Sequence, residues 1–233
     1  MNGACAELMT LKKFLRAAAV SAVAIITIGA SGNWNTTVVQ TDRGYQIGNQ
    51  DAEVTLTEFV SYTCSHCATF TRQGEPALQI AYIGSGKVKF EIRPIIRNDL
   101  DLTAALAIQC GEPDKYVRNH TLFMVTQDSW LQVASTSTRA QQQRWMVADR
   151  ASARRSIASD FGFYQMMETR GYSRTDLDRC LSDEVEAKRL EANTTADFAE
   201  FGIKGTPSFA INGELQAGVH NWPALEPVLN SKF

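Results

Sequence analysis

Two cysteines, Cys64 and Cys67, stand with only Ser65 and His66 between them. On a helix of 3.6 residues per turn, that spacing brings two sulfurs onto one face and within bonding reach. A C-x-x-C can hold a metal, anchor haem, staple a fold or cycle between dithiol and disulfide. A structural zinc site needs four ligands. This chain has no second C-x-x-C, and His120 and His220 have no ligand spacing between them. Covalent haem needs a histidine directly after the second cysteine, and Ala68 is there instead. A purely structural bridge would close so small a loop that little unfolded-chain entropy is removed. Redox cycling is the chemistry these residues favour. It requires that one sulfur be held as a thiolate, since the thiolate and not the thiol attacks disulfides.

The elements around the pair must provide that ionisation. Val54 to Tyr62 alternates, with Val54, Leu56, Glu58, Val60 and Tyr62 on one face, and reads as a strand running into the C-x-x-C. From Ala68 to Ile83 the apolar spacing suggests a helix bent at Pro76. Cys64 is therefore expected at a helix N-terminus, where free N–H groups and the helix dipole favour an anion. His66 can add an N–H donor or a positive charge, although an ordinary exposed imidazole would look the same in sequence. Whatever stabilises the dithiol makes the disulfide a stronger oxidant. Cys64 is the expected nucleophile and Cys67, one turn inward, the resolving thiol. Glu58 shares its face with apolar residues, so a raised pKa is expected if it is buried. The alternative is a carboxylate peeling into water at a strand end.

Gly84-Ser85-Gly86 ends the helical pattern, and Val88, Phe90, Ile92 and Pro94 alternate with Lys87, Lys89, Glu91 and Arg93 in a second strand. The resulting β-α-β unit implies parallel strands with a right-handed crossover. From about Asp99 to Asn193 the pattern turns helical with no convincing strand. Leu102, Leu106 and Cys110 share one stripe, and Leu177, Cys180, Leu181 and Val185 another. Ser173 to Asp176 resembles a capping box. The polar stretch from Gln127 to Arg155 fits either one helix or a helix broken by loop. Thr194 to Phe201 reads as a helix ended by Gly202. Strand logic returns at Ser208 to Ile211, followed by the hairpin signal Asn212-Gly213 and a strand at Leu215 to Val219. Asn221 or Trp222 can cap a last helix that carries Leu225, Val228 and Leu229 inward. Phe123, Trp130, Trp145, Phe161 and Phe163 are read mainly as core, with a groove lining as the alternative.

Composition is that of an ordinary globular chain: 233 residues, 44% hydrophobic and 21% charged. With 23 basic against 25 acidic residues there is no positive field suited to nucleic acid. Lys12, Lys13 and Arg16 precede an uncharged run from Ala17 to Ala30, too short for a spanning helix, and residues 1–31 read as a secretory signal peptide. An uncleaved anchor is the alternative. Removal of that segment takes Cys5 with it and leaves four cysteines in an exported chain, an even number that favours disulfides.

The order strand, C-x-x-C helix, strand, helical stretch, hairpin, helix is the thioredoxin plan interrupted once. Gly48-Asn49-Gln50-Asp51-Ala52, Glu58-Phe59-Val60-Ser61-Tyr62-Thr63-Cys64-Ser65-His66-Cys67 and Gly205-Thr206-Pro207-Ser208-Phe209 together resemble the exported bacterial DsbA-like thiol:disulfide oxidoreductases. The resemblance covers roughly Tyr45 to Phe233. It implies an α/β thioredoxin-like fold, a central mixed β-sheet flanked by helices, with an inserted all-helical domain. The expected division is residues 45–98 and 199–233 for the thioredoxin-like parts and 99–198 for the insertion. It further implies a cis Pro207 against the C-x-x-C, main-chain groups of Thr206 offered to an extended substrate, and Glu58 as an acid that moves the proton of the buried cysteine. No cofactor beyond the Cys64-Cys67 disulfide and no metal is expected. The implied partners are reduced or unfolded exported polypeptides and a quinone-linked membrane oxidase, in the periplasm. A monomer is expected, because the stretch between leader and first motif leaves no room for a dimerisation domain. Cys110 and Cys180 read as core or, in an oxidising compartment, as a second, structural disulfide. Thr206 before the proline and Ser65 between the cysteines depart from the best-known oxidases, which keeps an isomerase or reductase as the alternative. A chaperone-like module holding unfolded chains is a third reading.

Overall fold

The computed structural model describes residues 33–233; the signal-peptide reading of residues 1–31, including Cys5, lies outside them. A six-stranded mixed sheet forms the centre. Its strands are β1 (Val38–Gln40), β2 (Tyr45–Gly48), β3 (Val54–Val60), β4 (Val88–Pro94), β5 (Ser208–Ile211) and β6 (Glu214–Leu215), in the order β1-β2-β4-β3-β5-β6. β3 and β4 are parallel, with Glu58 beside Ile92, as a β-α-β crossover requires. The other pairs are antiparallel, including Glu58 beside Phe209 across β3 and β5. β3 thus has partners on both edges, and all but one of its residues are buried.

The segment after β3 differs from the sequence expectation in two ways. Helix α1 (Ser65–Gln73) starts with Ser65 rather than Ala68, so the C-x-x-C belongs to its first turn. The break falls at Gly74, and Pro76 sits in the first turn of α2 (Glu75–Leu78), where its missing N–H costs nothing. A π-helical turn, Gln79–Ile83, leads toward β4.

Between β4 and β5 the chain is helical: α3 (Asp99–Ile108), α4 (Tyr116–Val125), α5 (Gln127–Thr136), α6 (Arg139–Trp145), α7 (Arg150–Asp160), α8 (Phe163–Glu168), α9 (Arg174–Leu181) and α10 (Glu184–Phe201). The polar stretch resolves into separate helices because new caps open inside it: Thr138 and Gln141 form a capping box for α6, and Asp149 accepts from Ser152 N for α7. The capping box at Ser173 and Asp176 opens α9. α10 begins at Glu184, well before Thr194, and ends at Gly202 in the left-handed conformation glycine favours. The aromatics Phe123, Trp130, Phe161 and Phe163 pack together and are buried, so they are core and not groove. Cys110 and Cys180 are joined by a disulfide that ties the segment after α3 to α9.

Two anchors fasten the helices to the sheet. Asp197 on α10 is buried and accepts from Arg43 (2.9 Å) and from Arg93 on β4 (3.0 Å). Thr194 Oγ1 accepts from Ile96 N at 2.9 Å. The chain closes with α11 (Trp222–Asn230), capped by Asn221, whose side chain accepts from Ala224 N at 3.0 Å and whose Leu225 and Leu229 are fully buried. The last hairpin strand is shorter than expected: pairing stops at Leu215, and Gly218 at positive φ turns the chain away before Val219. No helix among the described residues is long and apolar enough to cross a membrane.

Candidate active site

Cys64 is the N-cap of α1, in extended conformation, and its neighbours upstream are clamped from the helical segment. Asp101 on α3 is buried. It accepts from Ser61 Oγ (2.9 Å), Thr63 N (2.8 Å) and Arg97 N (3.1 Å). Burial raises its carboxyl pKa, and the Thr63 N–H, the Ser61 hydroxyl and the Arg97 charge work against that rise. Gln127 at the start of α5 donates from Nε2 to Tyr62 O (2.7 Å) and Cys64 O (3.0 Å). The strand end and the helix start are thereby held in one geometry by two residues remote in sequence.

Across from α1, the Thr206-Pro207 peptide bond is cis. As a thiol, Cys64 donates to Thr206 O at 3.1 Å. Once ionised it can only accept, and the donors for that state are present. The Cys67 thiol is the strongest, followed by the Thr206 hydroxyl and the main-chain N–H groups of Cys67 and His66. The Thr206 hydroxyl has no hydrogen-bond partner among the described residues, which leaves it free to turn to the ionised sulfur. Against the cost of burial, these donors lower the Cys64 pKa from 9.0 to about 4. His66 therefore acts on the sulfur through its backbone, while its imidazole stands exposed on the surface of α1.

Cys67 has the opposite character. It is fully buried, and burial pushes its thiol well above 9.0, reinforced by its hydrogen bond to Cys64 and by Glu58. Glu58, on β3, is 0% exposed and neither carboxyl oxygen has a hydrogen-bond partner among the described residues. Burial first, then the charges of Glu75 and Cys64, raise its pKa well above 4.5. It is interior, not a strand-end carboxylate in water.

Sequence reasoning missed a buried polar chain beneath this site. Glu75 Oε1 accepts from Thr71 Oγ1 (2.7 Å) and lies 3.0 Å from His120 Nε2. His120 Nδ1 lies 3.3 Å from the Tyr62 hydroxyl, itself 3.0 Å from that of Tyr116. Of these residues only Tyr62 stands in a motif; for the others the signal was only that polar side chains fall inside apolar stripes. His220 was missed for the same reason: its Nδ1 lies 2.7 Å from Pro207 O, directly after the cis bond.

Fold and site together define a thioredoxin-fold protein whose C-x-x-C joins an acidic, accessible-side sulfur to a buried, protonated one. The profile of the family described as thioredoxin matches residues 40–231, and the chain belongs to that family. The crystal structure of a protein-disulfide isomerase from Novosphingobium aromaticivorans is similar, with 43% identity, 80% of this chain and 95% of that chain covered, and a TM-score of 0.77. That of Wolbachia pipientis alpha-DsbA1 has the same fold at 20% identity, with 80% and 88% covered and a TM-score of 0.61. A Rickettsia typhi protein that carries the name protein-disulfide oxidoreductase is 27% identical over 168 residues, 72% of this chain and 54% of its own length. The chain spans about half the length of the curated relatives it matches.

Proposed function

We propose that this protein is a thiol:disulfide oxidoreductase that donates the Cys64-Cys67 disulfide to reduced exported polypeptides, in the periplasm once the leader has directed it there. The observation that carries the reading is the split between the two sulfurs, Cys64 lowered to about 4 and Cys67 raised. A substrate thiolate attacks Cys64, the less buried sulfur, to form a mixed disulfide. Cys67 leaves and takes a proton, for which Glu58, electrostatically coupled to it, is the proposed source. A second substrate thiolate then attacks the substrate sulfur, and Cys64 departs as a stabilised thiolate. The substrate loses two electrons and gains a disulfide, while the protein becomes the dithiol. Thr206 and Pro207, beside Cys64, are the proposed contact for an extended substrate. Residues 45–98 and 199–233 form the catalytic part in this reading, with 99–198 as the insertion whose Asp101 and Gln127 clamp the site. A quinone-linked membrane oxidase is the proposed source of new disulfides, and the monomer the proposed working state.

Equilibration with glutathione redox buffers tests the reading. A donor has a potential well above the roughly −270 mV of thioredoxin. A value near thioredoxin's would instead support an isomerase or reductase, the second reading, which the 43% identity to a protein named as a disulfide isomerase favours.

A further inference from the structure

Next to Cys64, between α1 and the start of α11, lies a groove of about 450 Å³. Its apolar floor is Phe70, which is 1% exposed, and Trp222, their ring centroids 6.5 Å apart. Its rim carries His66, Lys204 and His220, all exposed, with Thr206 joining it to the sulfur. No acidic residue lines it. Lys204 makes no ion pair among the described residues, so its charge is uncompensated. His220 is oriented by the bond from Nδ1–H to Pro207 O, and in the neutral ring its Nε2 can then only accept a hydrogen bond. A protein of net charge −2 thus places a rim with no acidic residue and one uncompensated cation, Lys204, next to the Thr206-Pro207 bond.

We propose that this groove selects polypeptide segments with an aspartate or glutamate beside the reactive cysteine, the carboxylate lying against Lys204 and an apolar neighbour on Phe70 and Trp222. The inference rests on the disulfide-donor reading and names the substrate class of that same site. It also gives the cycle a direction. In the disulfide form the sulfurs are neutral and the rim attracts the carboxylate. When the substrate dithiol has surrendered two electrons and two protons, Cys64 is left as a thiolate beside the Thr206 end of the groove, and the acidic product is repelled.

The test uses dithiol peptides that differ only in having Asp, Asn or Lys beside the first cysteine. Their oxidation by the disulfide form of the full protein is followed at low and high salt. Each rate is normalised to that peptide's reaction with an uncharged disulfide, 2-hydroxyethyl disulfide, which removes the effect of the neighbour on the peptide's own thiol. The Asp peptide should exceed the Asn peptide about three- to fivefold, with Lys slowest, and the spread should shrink at high salt. Lys204→Glu should invert the order. Equal normalised rates at every salt concentration overturn the preference. Should no peptide be oxidised, the donor reading has failed, and peptides with serine for cysteine then decide the groove separately: tighter binding of the Asp form supports it, and equal binding overturns it.

Discussion

Gln127 Nε2 lies 3.0 Å from the carbonyl oxygen of Cys64, so a helix remote in sequence holds the first turn of the redox helix. Among the described residues the same nitrogen is the only partner of Tyr62 O, whereas Cys64 O also accepts from Ala68 N at 3.2 Å. Gln127→Ala should therefore orphan one buried carbonyl and cost about 1–3 kcal/mol, read as a lower denaturant midpoint. The thiolate titration of Cys64 should stay in place, because its donors are Cys67, Thr206 and His66. An unchanged midpoint would show that the clamp contributes nothing.

Absorbance of the thiolate near 240 nm should rise with a midpoint of about 4 in the reduced protein. The folded pKa is depressed below the unfolded value near 9, so ionisation adds stability to the dithiol form. That stability is complete above the unfolded pKa and is lost as pH falls toward and through 4. The disulfide form has no such group. Paired urea titrations of the two forms should show the dithiol form more stable at pH 7 and the gap closing toward pH 4. A gap independent of pH contradicts the ionisation.

Glu58 works in the opposite sense. Its folded pKa is raised, so its stabilising contribution is full below the unfolded value near 4.5 and is lost as pH climbs through the folded value. Glu58→Leu removes a buried carboxyl with no partner and should raise stability at neutral pH by about 1–3 kcal/mol. The same variant should slow release of Cys67 on formation of the mixed disulfide, measured by stopped-flow with a monothiol. A variant that is stabilised yet reacts at the wild-type rate would remove Glu58 from the proton path and leave it a structural oddity.

The parts of this fold that could be read from sequence are those written in local chemistry. β3 and β4 alternate, the Asn212-Gly213 turn announces β5 and β6, and the C-x-x-C marks its own helix. The early strands β1 and β2 were missed because three or four residues carry little periodicity; β2 exists by pairing with the open edge of β4. At the site, Cys64 and Cys67 stand out by residue type, and Thr206 and Pro207 became legible through a family resemblance. Asp101 and Gln127 did not. In sequence they look like a helix start and part of a polar stretch, and only the packing of α3 and α5 turns their side chains toward residues 61–64. The bend expected at Pro76 moved to Gly74 for a physical reason of the same kind, since proline is tolerated in a first turn.

The buried chain below the sulfurs is a separate commitment. Glu75 is 3% exposed and is the shared partner of Thr71 and His120. Glu75→Ala should leave the Thr71 hydroxyl and His120 Nε2 with only each other, 3.5 Å apart, and cost about 1–3 kcal/mol. It also removes the strongest negative charge acting on Glu58, so the pH at which Glu58 ionises should fall. Infrared detection of the protonated carboxyl band across a pH series would show the shift, which a purely steric role for Glu75 would not produce.

The Cys110-Cys180 bridge should matter to stability and not to the chemistry. It closes a loop with a sequence separation of 70, and the loss of that closure gives the unfolded chain an entropy worth about 4 kcal/mol. Both cysteines lie in the helical part, and neither is among the groups that shift the Cys64 thiol. The double variant Cys110→Ala/Cys180→Ala should therefore unfold at markedly lower denaturant while its Cys64 titration and its rate of disulfide donation at 25 °C stay at the wild-type values. Should donation fall in step with stability, the insertion must transmit the strain of its own loosening to the clamp formed by Asp101 and Gln127, and the redox helix would not be independent of the bridge.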